Sequence, residues 1–164
     1  MGKNLVIKGA DFSANGISVV TINWIGYTDT ELNGSSSVSN TSKYCISATS
    51  IQSLGLVGKD IQYIKVYAKA AGTITFGGAD ISGSTATQDS SYSASVSQGV
   101  NIIRLSTPIP LSASKSIWFA GKNVLSFYNQ NATSYAGWTF CQIGQTTEPS
   151  VAHICIDVAY IVES

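Results

Sequence analysis

Charged side chains are scarce in this sequence: 9 Lys and Arg balance 9 Asp and Glu, and together they make up 11% of the 164 residues. Binding to nucleic acid draws on an excess of basic side chains, so the zero net charge and the single arginine, Arg104, argue against such a partner. No apolar run approaches the roughly 20 residues that a spanning helix needs, so we expect no membrane insertion. Ser, Thr, Asn and Gly are left to cover the surface of a globular domain.

Cysteine is also scarce, with Cys45, Cys141 and Cys155 the three present. The first residues lack the apolar core of a signal peptide, so we expect synthesis in a cytoplasm without export. An odd number of cysteines without such a signal argues against a disulfide framework. We therefore expect the three thiols to be small buried side chains in strands.

No stretch shows a helical period over the length of a normal helix, whereas apolar and polar residues often alternate, which is the period of a strand. The segment 61–69 puts apolar side chains on one face and Tyr63, Lys65 and Tyr67 on the other. The segment 154–162 alternates over a longer run and is fairly apolar on both faces. That pattern is typical of a central strand.

Turn signals such as Gly77-Gly78 separate roughly eight to ten such runs. Two Ser-rich stretches, 34–42 and 82–97, predict long loops or weak edge strands. The sequence contains no internal repeat and no interdomain linker. These features predict a single all-β domain over residues 1–164, an antiparallel β-sandwich of the jelly-roll type.

Groups for catalysis are few. His153 is the single histidine, and Asp157 follows it on the same strand face at a distance of about 13 Å, too far for a hydrogen bond. A Gly-x-Ser-x-Gly nucleophile motif is absent. We predict no catalytic residues and no enzyme activity. The rival class, a glycan hydrolase or esterase, would need two carboxylates in one cleft, or His153 beside a Ser and an Asp.

Metal ligands are equally sparse. Cys141, His153 and Cys155 lack a fourth ligand, and neither a CxxC nor an HExxH spacing exists, so no metal site and no cofactor are predicted. Asp80 and Asp89 have two interpretations: they could be ligands of a calcium site, or they could be ordinary turn residues.

Aromatic side chains give a more specific signal, because sugars stack on aromatic rings while neighbouring polar groups bind their hydroxyls. The predicted ligand-binding residues are Tyr63, Tyr67, Asn129, Tyr135 and Trp138. Strands also carry many half-exposed tyrosines, and Trp138 could belong to the core. The face with Tyr63 and Tyr67 could equally be a subunit contact, since tyrosine is enriched at interfaces.

The segment 3–15, KNLVIKGADFSAN, resembles the lead segment of virion-associated proteins from phages and prophages of gut Bacteroidales, the crassvirus-like group included. A similar segment precedes GDSL-type hydrolase domains in such genomes, but no Gly-Asp-Ser-Leu block occurs here. The segments 61–75 and 99–105 are similar to galactose-binding-like jelly rolls. Those motifs are strand patterns and carry no catalytic residues over.

The resemblance implies a virion structural protein: a head decoration (capsid auxiliary) protein, a head fibre or a tail accessory protein, assembled in the cytoplasm of the bacterial host. Other capsid or tail proteins would be its partners, it would form a homo-oligomer, and it could touch a host-surface glycan. Met1 to Ala14 would be the attachment segment, with a plain first strand as the alternative. The alternative function is a non-catalytic carbohydrate-binding module of a gut bacterium.

Overall fold

The computed structural model describes residues 4–7, 12–13, 16–17, 20–26, 36–127, 138–144 and 154–163. These ranges contain fifteen β-strands and one short helix. In chain order they are β1 (Asn4–Ile7), β2 (Phe12–Ser13), β3 (Gly16–Ile17), β4 (Val20–Trp24), β5 (Ser36–Ser37), β6 (Tyr44–Ile46), α1 (Ala48–Ser53), β7 (Asp60–Ala68), β8 (Gly72–Ser82), β9 (Thr85–Gln88), β10 (Tyr92–Val96), β11 (Gly99–Pro110), β12 (Lys115–Ala120), β13 (Ser126–Phe127), β14 (Phe140–Gln142) and β15 (Ile156–Glu163).

The strands form two main antiparallel sheets. The first has five strands in the order β1-β4-β15-β7-β11, and the second has six, in the order β10-β8-β12-β6-β14 with β9 paired to β8. Two further ladders join β13 to β5 and β2 to β3. The all-β antiparallel sandwich is therefore confirmed. The strand order does not establish jelly-roll connectivity, which stays a prediction.

The main core lies between the two sheets, because alternate side chains of each strand point toward the opposite sheet. Strands β7 and β15 of the five-stranded sheet contribute Ile64, Val66, Ile156 and Val158 to this core. Strands β8 and β12 of the six-stranded sheet contribute Ile74, Phe76, Ile117 and Phe119. Each such side chain contributes roughly 1.5–3 kcal/mol through burial. The predicted strand character of segments 61–69 and 154–162 is confirmed, and β15 is the middle strand of its sheet.

Gly77-Gly78 does not form the predicted turn but lies inside β8. The backbone of Ser90 crosses the strand there, and a Cβ on Gly77 would lie 2.0 Å from the Ser90 carbonyl oxygen. Trp118 Nε1 donates a hydrogen bond of 3.1 Å to that same oxygen. The glycine is required for close approach of two backbones rather than for chain reversal.

The Ser-rich stretch 82–97 contains β9 and β10, and β10 ends the described order of its sheet, so weak edge strands are confirmed there. At the other end of the chain, β1 pairs with β4 as the first strand of the five-stranded sheet. The attachment role of residues 1–14 stays a prediction. Among the described residues, no helix is both long and apolar enough to cross a membrane.

Candidate interaction surface

The five-stranded sheet has a second face, turned away from the main core, that carries most of the side chains of interest. Residues that are direct partners in neighbouring strands share a face, so the register defines its members. This outer face consists of Ile22, Trp24, Asp157, Ala159, Ile161, Tyr63, Lys65, Tyr67, Val100, Ile102 and Arg104. The prediction that Tyr63, Lys65 and Tyr67 share the face opposite the apolar one is confirmed by this register.

Trp24 and Tyr63 form the aromatic centre of the outer face. Their ring centroids are 6.4 Å apart at an interplanar angle of 59°. The ammonium of Lys65 lies 4.4 Å from the centroid of the Trp24 ring, a cation–π contact, and only 5% of Trp24 remains exposed. Trp24 therefore serves as packing for its neighbours, while the half-buried Tyr63 offers the accessible ring.

Asp157 is a fully buried carboxyl group beneath this centre. Its Oδ1 accepts backbone hydrogen bonds from Val158 (2.8 Å), Gly26 (3.0 Å) and Ile25 (3.3 Å). Its Oδ2 has no hydrogen-bond partner within the described part of the chain. Burial raises the pKa of Asp157 to about 7, although the three N–H groups and the charge of Lys65 oppose that shift.

The edge of the outer face on β11 exposes two large aliphatic side chains. Ile102 is 59% exposed and Val100 is 42% exposed. Arg104 follows on the same face, directly opposite Tyr63. An apolar patch bordered by a tyrosine and an arginine has the composition found in the centres of protein–protein interfaces.

A shallow hollow of about 360 Å³ opens beside Tyr63. Its lining residues are Val20, Ile22, Gln62, Tyr63, Arg104, Ile161 and Glu163. The floor is therefore aliphatic, with one cation on β11 and one carboxylate at the end of β15.

The predicted ligand-binding residues do not all come together. Tyr63 and Tyr67 lie on the same strand about 13 Å apart, and Tyr67 also packs against the main core. Asn129 and Tyr135 lie outside the described residues. The structure therefore joins Tyr63 to Trp24 rather than to Tyr67.

Trp138 is a core residue, which corrects its assignment as a sugar-stacking ring. It is completely buried and stacks on Phe140, with ring centroids 6.4 Å apart and an interplanar angle of 17°. A Cβ on Gly26 would lie 2.3 Å from its Nε1, so the backbone of Gly26 covers the indole. A ring enclosed in this way presents no face to a ligand.

Sequence reasoning missed a groove at Tyr92, which we call the Tyr92 groove. Two cavities of about 210 Å³ each are both lined by Tyr92 and Thr107. The ladder of β11 with β7 breaks between Arg104 and Ile109, and Ser106 and Thr107 from this break line a cavity together with Tyr92 and Ser93 of β10. The Ser106-Thr107-Pro108 sequence inside an apolar strand pattern was the available signal for that bulge.

The alternative calcium site is occupied by a lysine. The ammonium of Lys115 contacts the carboxylate of Asp80 and lies 3.8 Å from that of Asp89. The hydrogen bond to Asp80 raises the pKa of Lys115. The two carboxylates therefore already share a cation. Among the described residues, no three His, Cys, Asp or Glu side chains are grouped so that they could hold a metal ion. His153 lies outside those residues.

Comparisons with protein-family models, with curated proteins and with solved structures found no match to this chain. The resemblance to phage virion proteins and to galactose-binding-like jelly rolls stays a prediction.

Proposed function

We propose that this chain is a non-catalytic structural protein of a phage virion, which assembles with a second copy of itself through the outer face. The observation that carries the assembly step is the exposure of Ile102 and Val100 beside Tyr63 and Arg104 on one sheet face. Exposed aliphatic side chains grouped with aromatic and arginine side chains favour burial against another protein.

A second copy is the favoured occupant because the charges of the patch are complementary to each other. Arg104 and Glu163 line opposite sides of the hollow, with Cα atoms roughly 16 Å apart by strand spacing, and no ion pair joins them within the described chain. A two-fold axis through the hollow would set Arg104 of each copy against Glu163 of the other. Both charges would then be paired over an aliphatic floor.

Charge reversal tests this arrangement. Arg104→Glu and Glu163→Arg should each weaken self-association at least tenfold, because each puts like charges opposite one another. The double variant should recover most of the wild-type affinity. Sedimentation equilibrium of the four proteins measures the effect, and a double variant no better than the single ones would contradict the two-fold arrangement.

The virion role is supported by the resemblance of segment 3–15 and by composition. A weakly charged, Ser- and Thr-rich sandwich suits a part that is present in many copies on a particle surface. The test is co-sedimentation with purified particles of a phage that encodes the chain. The full chain should sediment with the particles and a chain without residues 1–14 should not. A full chain that stays in the supernatant would exclude the virion role.

Carbohydrate binding is the second candidate function, and the Tyr92 groove is the observation that favours it. Tyr92 is half-buried, and its ring lies tilted beside that of Phe76 with centroids 6.0 Å apart. Hydroxyl groups of Ser93, Ser106 and Thr107 line the same groove. A glycan array with wild type and Tyr92→Ala tests this. Glycan binding that the variant loses would support the module, and an array without signal would remove it.

A further inference from the structure

Two of the three cysteines face each other across neighbouring strands. Cys45 in β6 and Cys141 in β14 are direct partners in the antiparallel ladder. Two residues away on either side, the Ser47 N–H donates to the Thr139 carbonyl at 3.0 Å and the Ile143 N–H donates to the Lys43 carbonyl at 3.0 Å. Hydrogen-bonded pairs alternate along such a ladder, so the two cysteines occupy a hydrogen-bonded position with Cα atoms about 5.5 Å apart. That separation lies within the range of roughly 4.4–6.8 Å that disulfides span.

The two thiols also share one environment. Both side chains are buried on the outside of the six-stranded sheet, in a small apolar cluster with Trp118 and Ala79. The neighbouring Cys141 thiol and burial both raise the pKa of Cys45, whereas the Cys45 thiol lowers the pKa of Cys141. Cys141 is therefore the thiol that ionises first, while the Cys45 Sγ donates to the carbonyl oxygen of Ile46 at 3.6 Å.

We propose that Cys45 and Cys141 form a dithiol that hydrogen peroxide oxidises to an intramolecular disulfide. The Cys141 thiolate attacks one peroxide oxygen, the O–O bond breaks, and the released hydroxide takes up a proton to leave as water. The Cys45 sulfur then attacks the Cys141 sulfenic acid, the S–O bond breaks, and the oxygen leaves as a second water with the Cys45 proton. Two thiols and one peroxide thus give one disulfide and two water molecules.

The position of β14 explains how the oxidant reaches a buried pair. β14 has three residues and ends the described order of its sheet, with β6 as its neighbour. Short end strands open locally far more often than central ones, and each opening admits a small oxidant. The disulfide then fastens β14 to β6, so that this edge no longer opens.

Geometry also predicts that the bond is easily reversed. Side chains at directly opposite positions have Cβ atoms about 4.5–5.5 Å apart, with hydrogen-bonded pairs at the wide end, whereas a disulfide prefers about 3.8 Å. Closing that gap strains the strands, and strained disulfides are the more readily reduced ones. We expect glutathione to restore the dithiol.

The third cysteine provides the internal control. Cys155 belongs to the main core, and burial raises its pKa to about 12, so it should stay a thiol under the same treatment. No Lys or Arg follows Lys122, so a tryptic digest leaves Cys141 and Cys155 on one fragment. The variant Cys155→Ala therefore assigns the partner of Cys45.

The experiment treats the full chain and Cys155→Ala with a small molar excess of hydrogen peroxide, followed by intact mass and non-reducing peptide mapping. Both proteins should lose the mass of two hydrogen atoms, yield the 45–141 crosslinked peptide and gain about 5 °C in Tm. Glutathione should reverse all three changes.

Cys45→Ala and Cys141→Ala should show neither the crosslink nor the gain in Tm. Three free thiols after treatment of the wild type, separate sulfinic acids, or a crosslink that disappears in Cys155→Ala would each overturn the proposal. The wild-type measurement stands even if an alanine variant fails to fold.

Discussion

Asp157 on β15 lies directly opposite Lys65 on β7, and both side chains are almost completely removed from solvent. Burying opposite charges costs desolvation free energy, which mutual attraction and hydrogen bonds offset only in a well-defined geometry. Three backbone N–H groups on Oδ1 and the Trp24 ring against Lys65 provide that geometry. Asp157 Oδ1 therefore ties β15 to the backbone that follows β4, while the Trp24 ring covers the Lys65 ammonium.

The burial of Asp157 predicts a pH-dependent stability. Its pKa is about 7 in the folded chain and 3.8 without burial, so between those values the folded state keeps a proton that the unfolded state releases. The contribution of this group to stability therefore falls as pH rises from about 4 to 7 and is level above. The gap corresponds to up to roughly 4 kcal/mol.

Asp157→Asn should remove that dependence, because an amide keeps the Oδ1 acceptor and does not titrate. Urea denaturation of both proteins at a series of pH values measures the effect: the free energy of unfolding of wild type minus that of the variant should fall between pH 5 and pH 7 and stay level above. Asp60→Asn, at an exposed position on β7, is the control and should follow the wild-type profile. A difference that is constant with pH would contradict the assignment.

The crossing of Ser90 over β8 predicts unequal effects for two adjacent glycines. Gly77→Ala should lose about 2 kcal/mol or more, because its Cβ meets a backbone carbonyl that cannot move aside. Gly78→Ala should lose less, because the nearest atom is the Ser90 hydroxyl at 3.2 Å. Chemical denaturation of both variants makes the comparison, and equal losses would argue against the crossing.

The core position of Trp138 predicts a loss of stability with any truncation. Trp138→Ala should cost about 3–5 kcal/mol through lost contacts and a cavity. Trp138→Phe should cost clearly less, because the indole N–H has no hydrogen-bond partner to lose within the described residues. If Trp138→Ala unfolds at nearly the wild-type temperature, the ring is not part of the core, and its ligand-binding assignment would stand again.

The ammonium of Lys115 between Asp80 and Asp89 predicts indifference to calcium. Adding calcium or a chelator should leave Tm unchanged, since the cation position between the carboxylates is already filled. Differential scanning fluorimetry with a magnesium control is sufficient. A rise in Tm specific to calcium would restore the calcium alternative.

Sequence patterns predicted strands correctly where the alternation of apolar and polar residues is enough to define a strand. Segment 61–69 became β7 and the alternation near the C-terminus became β15, because a strand buried on one or both faces shows its period in the chain itself. The face shared by Tyr63 and Lys65 followed from the same period.

Features that depend on contacts between distant residues could not be predicted in that way. Gly77 was predicted to lie in a turn, because its close approach to the Ser90 backbone is a tertiary contact that the local sequence does not show. The burial of Asp157 could not be predicted either. The Gly26 N–H group that donates a hydrogen bond to its carboxylate is 131 residues away in the chain. The facing of Cys45 and Cys141 depends on the register of two strands that are far apart in the chain.

Self-association through the outer face is the central claim, and light scattering of purified wild type, Ile102→Lys and Val57→Lys tests it most directly. Val57 is 48% exposed, lies in the turn after α1 and is not a member of the outer face, so it is the matched control. We predict twice the chain mass for wild type and Val57→Lys, and a monomer for Ile102→Lys. A monomeric wild type, or a dimer that survives Ile102→Lys, would contradict the account.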